Sequence, residues 1–505
     1  MEIFLILGIT AFLAIISFFI KNYKTLSLVN VLGHLAVLSI VAKLTADIYG
    51  NGASISMFNF FYADPLSIFF MLIIGIINTA SIIYSVSYIS NDLKENVISS
   101  AKANLYYVLF NALALATFLV VVVDNLGMLW IAIELTTLIS ALLVGFYNKK
   151  NSIEAAWKYI IICSVGITIA LFGTILFYYA ATLTGATSIN WTNFIAIATK
   201  LDPQILKVAF LFIFVGYGTK AGIVPLHTWL PDAHSQAPTP ISMLLSGVLL
   251  KTAIYAIIRF AIITNKSVGI QYSSNLFLLF GLLSLGIAAG FILVQKDIKR
   301  LLAYSSIEHI GIILIGLGFS GIGIYGALLH TVNHAITKSF MFLGAGNIVK
   351  KYKTGNMNII RGVINLLPFT GTLFILGAFA LGGTPPFSIF LSEFTILMAG
   401  FQNKSYLTCG LFLFFIAIIF GAIIHHFSKI IFGKEPADSK FRGDEPRLLT
   451  VKPEINPEHP NRGEDFFSAG SVSLMFLFIF LIAFGIIVPG FASKILLLTA
   501  EVIKQ

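Results

Sequence analysis

The sequence predicts an all-α polytopic membrane protein of about fourteen transmembrane helices, with two inverted five-helix repeats and breaks in helices seven and twelve. Three observations carry this reading. Of 505 residues, 58% are hydrophobic and 11% charged, against about 25% charged in ordinary soluble domains. Apolar runs of about 20 residues, each long enough to cross ~30 Å of hydrocarbon as a helix, recur from Glu2 to Val488. Two of those runs are interrupted by glycine and proline. The composition excludes a water-soluble protein. Cys163 and Cys409 sit singly inside apolar runs, which excludes a disulfide framework, a CxxC pair and iron–sulfur spacing. The net charge of +10 is accounted for by basic cytoplasmic loops, so no nucleic-acid partner is expected.

Taken in order, the expected helices cover 2–20, 26–44, 64–88, 105–123, 126–147, 154–184, 205–230, 239–262, 275–294, 302–318, 321–348, 367–400, 407–432 and 466–490. The first run lacks the basic flank and small-residue cleavage site of a signal peptide and is expected to be retained. Odd-numbered connections carry Lys21, Lys24, Lys94, Lys102, Lys149, Lys150, Lys296, Lys299, Arg300, Lys350, Lys351, Lys353, Arg361 and a cluster from Lys434 to Arg462. Even-numbered ones carry little beyond Lys200, Lys207, Lys266 and Lys404. By the positive-inside rule both termini are expected on the non-cytoplasmic side, and the chain is expected to be a multi-pass protein of the cytoplasmic (inner) membrane.

Gly216, Gly218 and Pro225 interrupt the seventh span, and Gly382, Gly383, Pro385 and Pro386 the twelfth. Such breaks free backbone groups that lipid cannot satisfy, so protein or trapped water must surround them. The two spans are five apart, an odd number, so a second copy of a five-helix unit enters from the opposite face. Two unrelated proline kinks are the plainer alternative. The expected division is 1–104, three helices; 105–262, the first repeat; 275–432, the second; 433–465, a polar cytoplasmic loop with five prolines; and 466–505, the last helix and tail.

A charge at a helix centre costs roughly 2.5–3.5 kcal/mol on insertion scales, so each one retained needs a partner, a water file or a function. The chain keeps Glu134 in LWIAIELTTLIS, Lys220 in FVGYGTKAGIVPLHTWL, Lys251 in SGVLLKTAIYAIIR and Glu393 in PPFSIFLSEFTIL. His309 follows Glu308 in AYSSIEHIGI, and His330, His334 and Lys338 share one face of LLHTVNHAITKSFMFL. Singly, each has an architectural reading: Lys251 and Lys338 snorkelling to an interface, Glu134 and Lys220 tying two helices together. Together, acids and bases alternate across at least five spans. That is the pattern a proton relay needs, because burial disfavours the charged form of both kinds of group and narrows the gap between them.

His330 and His334 lie on one helix, and no cysteine or carboxylate cluster completes a tetrahedral site around them. A bis-histidine haem needs a partner from a facing helix, His425 or His426. No metal, haem or other cofactor is expected. The segment HTWLPDAHSQAPTPIS, with His227, Asp232 and His234, reads as a tight extracellular-side connection between helices seven and eight, its turn set by Pro231, Pro238 and Pro240.

The run GYGTKAGIVPLHTWLPDAHSQAPTPIS, followed by SGVLLKTAIYAIIR and QKDIKRLLAYSSIEHIG, resembles the antiporter-like proton-translocating subunits shared by respiratory complex I, group 4 membrane-bound hydrogenases and Mrp-type sodium/proton antiporters. WIAIELTTLIS, EAAWKYIIICS and GTPPFSIFLSEF look most like the hydrogenase-4 component F branch, with the complex I M-type (subunit 4) branch next. The resemblance implies a relay in which Glu134 pairs with Lys220 in a first half-channel and Lys251 connects the halves. His309, His334 and Lys338 continue the path, and Glu393 serves the second half. The M-type pattern has a glutamate on the broken twelfth helix where the L-type has a lysine. Lys220 precedes Pro225 by five residues, whereas Glu393 follows Pro386 by seven, so spacing alone does not make them symmetry equivalents. The chain ends at Gln505, without the lateral helix of L-type subunits, and is expected to sit within a row of such subunits.

The implied function is proton translocation by a non-catalytic subunit of a multi-subunit redox complex. The implied partners are further antiporter-like membrane subunits, peripheral redox subunits and the lipid bilayer. A sodium/proton antiporter subunit of the Mrp type and a structural membrane anchor are the alternatives; only the anchor has no use for the buried charges.

Overall fold

The computed structural model describes residues 1–51, 54–434 and 469–504; the polar loop expected at 433–465 lies, from residue 435 onward, outside the described residues. The chain is almost wholly helical. α1 (Glu2–Phe19) and α2 (Tyr23–Asn51) lead into a small antiparallel hairpin, β1 (Ile55–Met57) and β2 (Phe61–Ala63), paired Ile55 to Ala63 and Met57 to Phe61. Then come α3 (Pro65–Lys94), α4 (Ser100–Val122), α5 (Leu126–Val144), α6 (Lys150–Thr182) and the short α7 (Trp191–Ile197). α8 (Pro203–Ala221) and α9 (Trp229–Gln236) are the halves of the first broken span. α10 (Thr239–Leu244) and α11 (Leu250–Val268) are joined without a break by a π-helical turn, Leu245–Leu249. α12 (Ile270–Val294), α13 (Ile298–Phe319), α14 (Ile322–Tyr352) and the one-turn α15 (Val363–Leu366) follow. α16 (Pro368–Leu381) and α17 (Ser388–Gln402) form the second broken span, then come α18 (Tyr406–Phe432), α19 (Ala469–Ile486) and α20 (Gly490–Lys504).

Helix starts obey local chemistry. Asp64 caps α3 by accepting from the Ser67 amide (2.9 Å) ahead of Pro65, and Asp202 caps α8 ahead of Pro203 in the same way. Asn125 and Asp297 cap α5 and α13. Eleven helices among the described residues are long and apolar enough to cross a membrane, or twelve if the bent pair α19 and α20 is one span. That pair turns by 77°, so the tail beyond residue 490 is a second helix, packed where α2 ends and α3 begins: Thr499 donates to the Pro65 carbonyl (3.4 Å) and shares a hydrogen bond with Tyr49 (3.0 Å).

The interior of the bundle decides where polar groups can survive. Most helices show lipid one apolar face, but the hydrophobic windows of Thr239–Val268 and Ile298–Phe319 are 100% buried. α14, beside them, carries Asn333, His330, His334 and Lys338 fully enclosed. Close approach of neighbouring helices depends on glycine: a Cβ on Gly216 of α8 would come 2.5 Å from the Ala170 nitrogen of α6, and one on Gly311 of α13 2.7 Å from the Gly281 carbonyl of α12.

One buried ion pair locks the region behind the hairpin. Arg259 of α11 donates to both carboxylate oxygens of Asp64 (2.6 and 2.7 Å), to Ser67 (2.8 Å) and to Tyr255 (3.0 Å), with its guanidinium 4.3 Å from the Trp191 ring. Removing one partner strands the other in an apolar setting, so Asp64→Ala is expected to cost about 3–5 kcal/mol. A thermal-unfolding series on the detergent-purified protein checks this; a midpoint equal to wild type would assign the pair no structural weight.

Candidate proton pathway

Both breaks are satisfied by protein. After α8, Gly222 turns left-handed (φ +78°), the Ile223 amide donates to the Gly218 carbonyl (2.9 Å) and the Val224 amide to Ser284 of α12 (3.3 Å). After α16, the Thr384 amide donates to Phe379 (3.2 Å), and Asn333 of α14 donates to the Ser388 carbonyl (2.6 Å). Pro225 and the Pro385–Pro386 pair stand within these turns, where the sequence placed them. Each break also positions a charge. Lys220 stands at the end of α8, two residues before Gly222. The Glu393 carboxylate of α17 folds back against Gly383, where a Cβ would collide with Oε2. Unequal spacing in sequence thus becomes a shared position beside a break.

On the first side, Lys220 is fully buried and donates to Thr137 of α5 (2.9 Å) and to the Tyr159 hydroxyl of α6. Tyr159 shares a hydrogen bond with Ser140 (2.7 Å) and stacks on Trp229 (4.4 Å). Glu134 accepts from Ser164 (3.0 Å) through one oxygen, while its other oxygen is buried without a partner. Glu134 and Lys220 are not among the ion pairs within 4.0 Å in the described residues. The ion pair expected from the sequence is not closed here, because Thr137 and Tyr159 stand as nearer acceptors.

Lys251 sits at the end of the π turn, and the turn explains its bonding. The Leu250 amide donates to Leu245 instead of Ser246, which releases the Ser246 carbonyl from the helical ladder. Lys251 takes that carbonyl and also reaches His334 Nδ1 on α14 (2.6 Å).

From His334 onward the hydrogen bonds assign the tautomers. The Ser392 hydroxyl donates to the Ile389 carbonyl (2.8 Å), so its oxygen accepts from His330 Nδ1–H (2.9 Å). His330 Nε2 is then the acceptor for His309 Nδ1–H (3.0 Å), which leaves His309 Nε2 as a bare lone pair. With Lys251 donating to His334 Nδ1, His334 Nε2 carries the proton. Those two nitrogens, His309 Nε2 and His334 Nε2, are buried without partners, and their rings lie 4.7 Å apart. One is a donor and the other an acceptor.

Lys338 donates to Ser305 (2.8 Å) and to the Leu302 carbonyl (2.6 Å) of α13, the helix that also carries Glu308, whose Oε2 is buried and unpartnered. His309, His330 and Glu393 bring two ring nitrogens and a carboxylate oxygen within 4.8 Å of one another. All seven residues of the implied relay are at least partly buried, and Lys251, His334 and His309 come together with His330. Sequence reasoning passed over Tyr159, Thr137, Ser164 and Ser392, which a search for charges does not see.

The HTWLPDAH segment corrects one expectation. Asp232 pairs with Arg300 (2.8 Å) and Lys158 (3.3 Å), so the segment lies at the end of the bundle that carries the basic connections, opposite to the side assigned it from sequence. It is also more than a turn: α9 holds His234 fully buried against Phe342 (ring centroids 5.0 Å).

Comparison with known proteins agrees with this architecture. The family described as NADH:quinone oxidoreductase/Mrp antiporter, TM matches residues 123–421. A hydrogenase-4 component F homolog from Methylacidiphilum infernorum (isolate V4) is 38% identical over 385 residues, 75% of this chain and 81% of that one. NADH-ubiquinone oxidoreductase chain 4 of Chondrus crispus is 30% identical over 383 residues, 74% of each. A chain of the membrane-bound sulfane sulfur reductase, an archaeal respiratory membrane complex, superposes with a TM-score of 0.84 at 21% identity, covering 99% of this chain and 97% of that one. The protein is an antiporter-like polytopic membrane subunit. It belongs to the NADH:quinone oxidoreductase/Mrp antiporter transmembrane family.

Proposed function

We propose that this chain carries protons across the cytoplasmic membrane as one subunit of a multi-subunit redox complex, driven by electron transfer in partner subunits of hydrogenase or quinone-reductase type. The observation that supports this best is the ordered row Lys251, His334, His309, His330, Ser392. Its bonds all point one way, and its single gap joins a free N–H to a free lone pair. A proton leaving Lys251 for His334 Nδ1 releases the proton on Nε2 to His309 Nε2, and His309 passes its Nδ1 proton to His330; the protonated His330 then gives up a proton to the Glu393 carboxylate, an oxygen of which lies within 4.8 Å of its ring nitrogen. Lys220 with Glu134 serves the first half-channel, and Lys338 with Glu308 flanks the row. Sodium exchange is the second reading, since the matching family includes Mrp antiporters; the nitrogen donors lining this path suit protons better than a hard cation that takes oxygen ligands. Proton uptake into sealed inverted vesicles, energised by the partner's redox substrate, tests the function.

The same reading divides the chain into 1–104, inverted repeats at 105–262 and 275–432, the loop 433–465 and a final segment 466–505. It is supported by the two breaks, each with a charge beside it. Counting α14, the interrupted α16 with α17, and the bent α19 with α20 as one span each brings the crossings to about fourteen. Both termini then face away from the cytoplasm. Single cysteines at Lys353 and Lys404 are expected to react with an impermeant maleimide from opposite faces, Lys353 from the cytoplasm; labelling of both from one face would break the count.

A further inference from the structure

We propose that His309, His330 and Glu393 form an inhibitory zinc site inside the pathway. The inference rests on the proton-path reading for its inhibitory effect, but not for binding. The donors come from three helices, α13, α14 and α17, and all are buried, with Glu393 8% exposed and both imidazoles 0%. One donor atom from each lies within 4.8 Å of the others, and His309 Nδ1 is 3.0 Å from His330 Nε2. Two ligands on a tetrahedral zinc at bond lengths of about 2.0–2.1 Å stand roughly 3.3–3.4 Å apart, so a small opening of the pair admits the ion. Two imidazoles and a carboxylate with one open position is a donor set that zinc takes and that hard cations such as sodium, magnesium and calcium do not favour.

The surroundings prepare the donors. The Ser392 oxygen accepts from His330 Nδ1–H (2.9 Å), which turns the Nε2 lone pair towards His309 and is the outer hydrogen bond that a metal-binding histidine normally makes. His309 binds by moving its proton from Nδ1 to Nε2, with no net release from that ring. That step consumes the lone pair that faced His334. A bound ion therefore both occupies the His309 to His330 bond and removes the acceptor across the gap.

The test uses the full chain purified in its complex. After exposure to micromolar zinc chloride and gel filtration, metal analysis is expected to show about one zinc per chain in the wild type. Retention is expected to fall about tenfold or more in His330→Ala and Glu393→Gln but to persist in His425→Ala, which removes an exposed histidine on α18. Cobalt chloride should give the intense visible bands of a four-coordinate site in the wild type and in His425→Ala, and not in the two ligand variants. Because either ligand variant can fail to fold, the wild type is tested on its own: no retained zinc, or octahedral cobalt spectra, would overturn the site. Retention unchanged in both ligand variants would do the same. Zinc bound by the wild type is expected to stop proton uptake into vesicles; bound zinc with full uptake would leave the site standing and count against the relay.

Discussion

Lys251→Ala is expected to reduce proton uptake by about 100-fold or more, the scale lost when a positioned acid–base group is removed, while the complex still assembles. The structure makes the residue a switch point: its ammonium bridges the Ser246 carbonyl, freed by the π turn, and His334 Nδ1 at 2.6 Å. Lysine can deliver a proton to the imidazole and stay in place as the neutral amine, because its remaining N–H groups still donate to the Ser246 carbonyl. Lys251→Arg keeps the charge and the reach but does not release its proton, so uptake should stay near the alanine level. Lys251→His, shorter yet titratable, is expected to recover part of the rate. Membranes of the four proteins at matched subunit content give the comparison, and equal uptake by the arginine and wild-type proteins would make Lys251 a fixed structural charge.

The arginine test matters because the charge itself was legible in the sequence and its bonding was not. Apolar runs and paired glycine and proline interruptions announced the helices and both breaks. Isolated charges in those runs announced Glu134, Lys220, Lys251 and Glu393. The π turn left no sequence signal, since it reflects how α10 and α11 fit between α3 and α14 more than any residue preference. Asp64 and Arg259 are 195 residues apart, and His309, His330 and Glu393 arrive on three helices, so neither group has a spacing to read. Pairing Glu134 directly with Lys220 was what the family resemblance implied. The nearer partners are hydroxyls, which in an apolar helix look like ordinary packing.

Those hydroxyls set the second large effect. Lys220→Ala is expected to abolish uptake, again by about 100-fold or more, and Glu134→Gln to do the same despite the absence of a direct contact. In the arrangement seen, Lys220 is held by Thr137 and Tyr159, and Glu134 is held by Ser164 on one oxygen with the other free. If the ammonium alternates between the hydroxyls and that free carboxylate oxygen, its charge is stabilised in one position and less so in the other, and the difference drives a proton to or from it. Glutamine removes the charge that makes the second position worthwhile, yet leaves Lys220 fully hydrogen-bonded, so stability should change little compared with the roughly 3–5 kcal/mol typical of breaking a buried pair. Tyr159→Phe deletes one acceptor of the resting position and should slow uptake by roughly tenfold without abolishing it. The double variant Glu134→Gln/Lys220→Ala is expected to be no worse than Lys220→Ala, because residues acting in one step are not additive. Near wild-type uptake in both single variants would show that the charges are architectural, and a double variant far below either single would show that they act in separate steps.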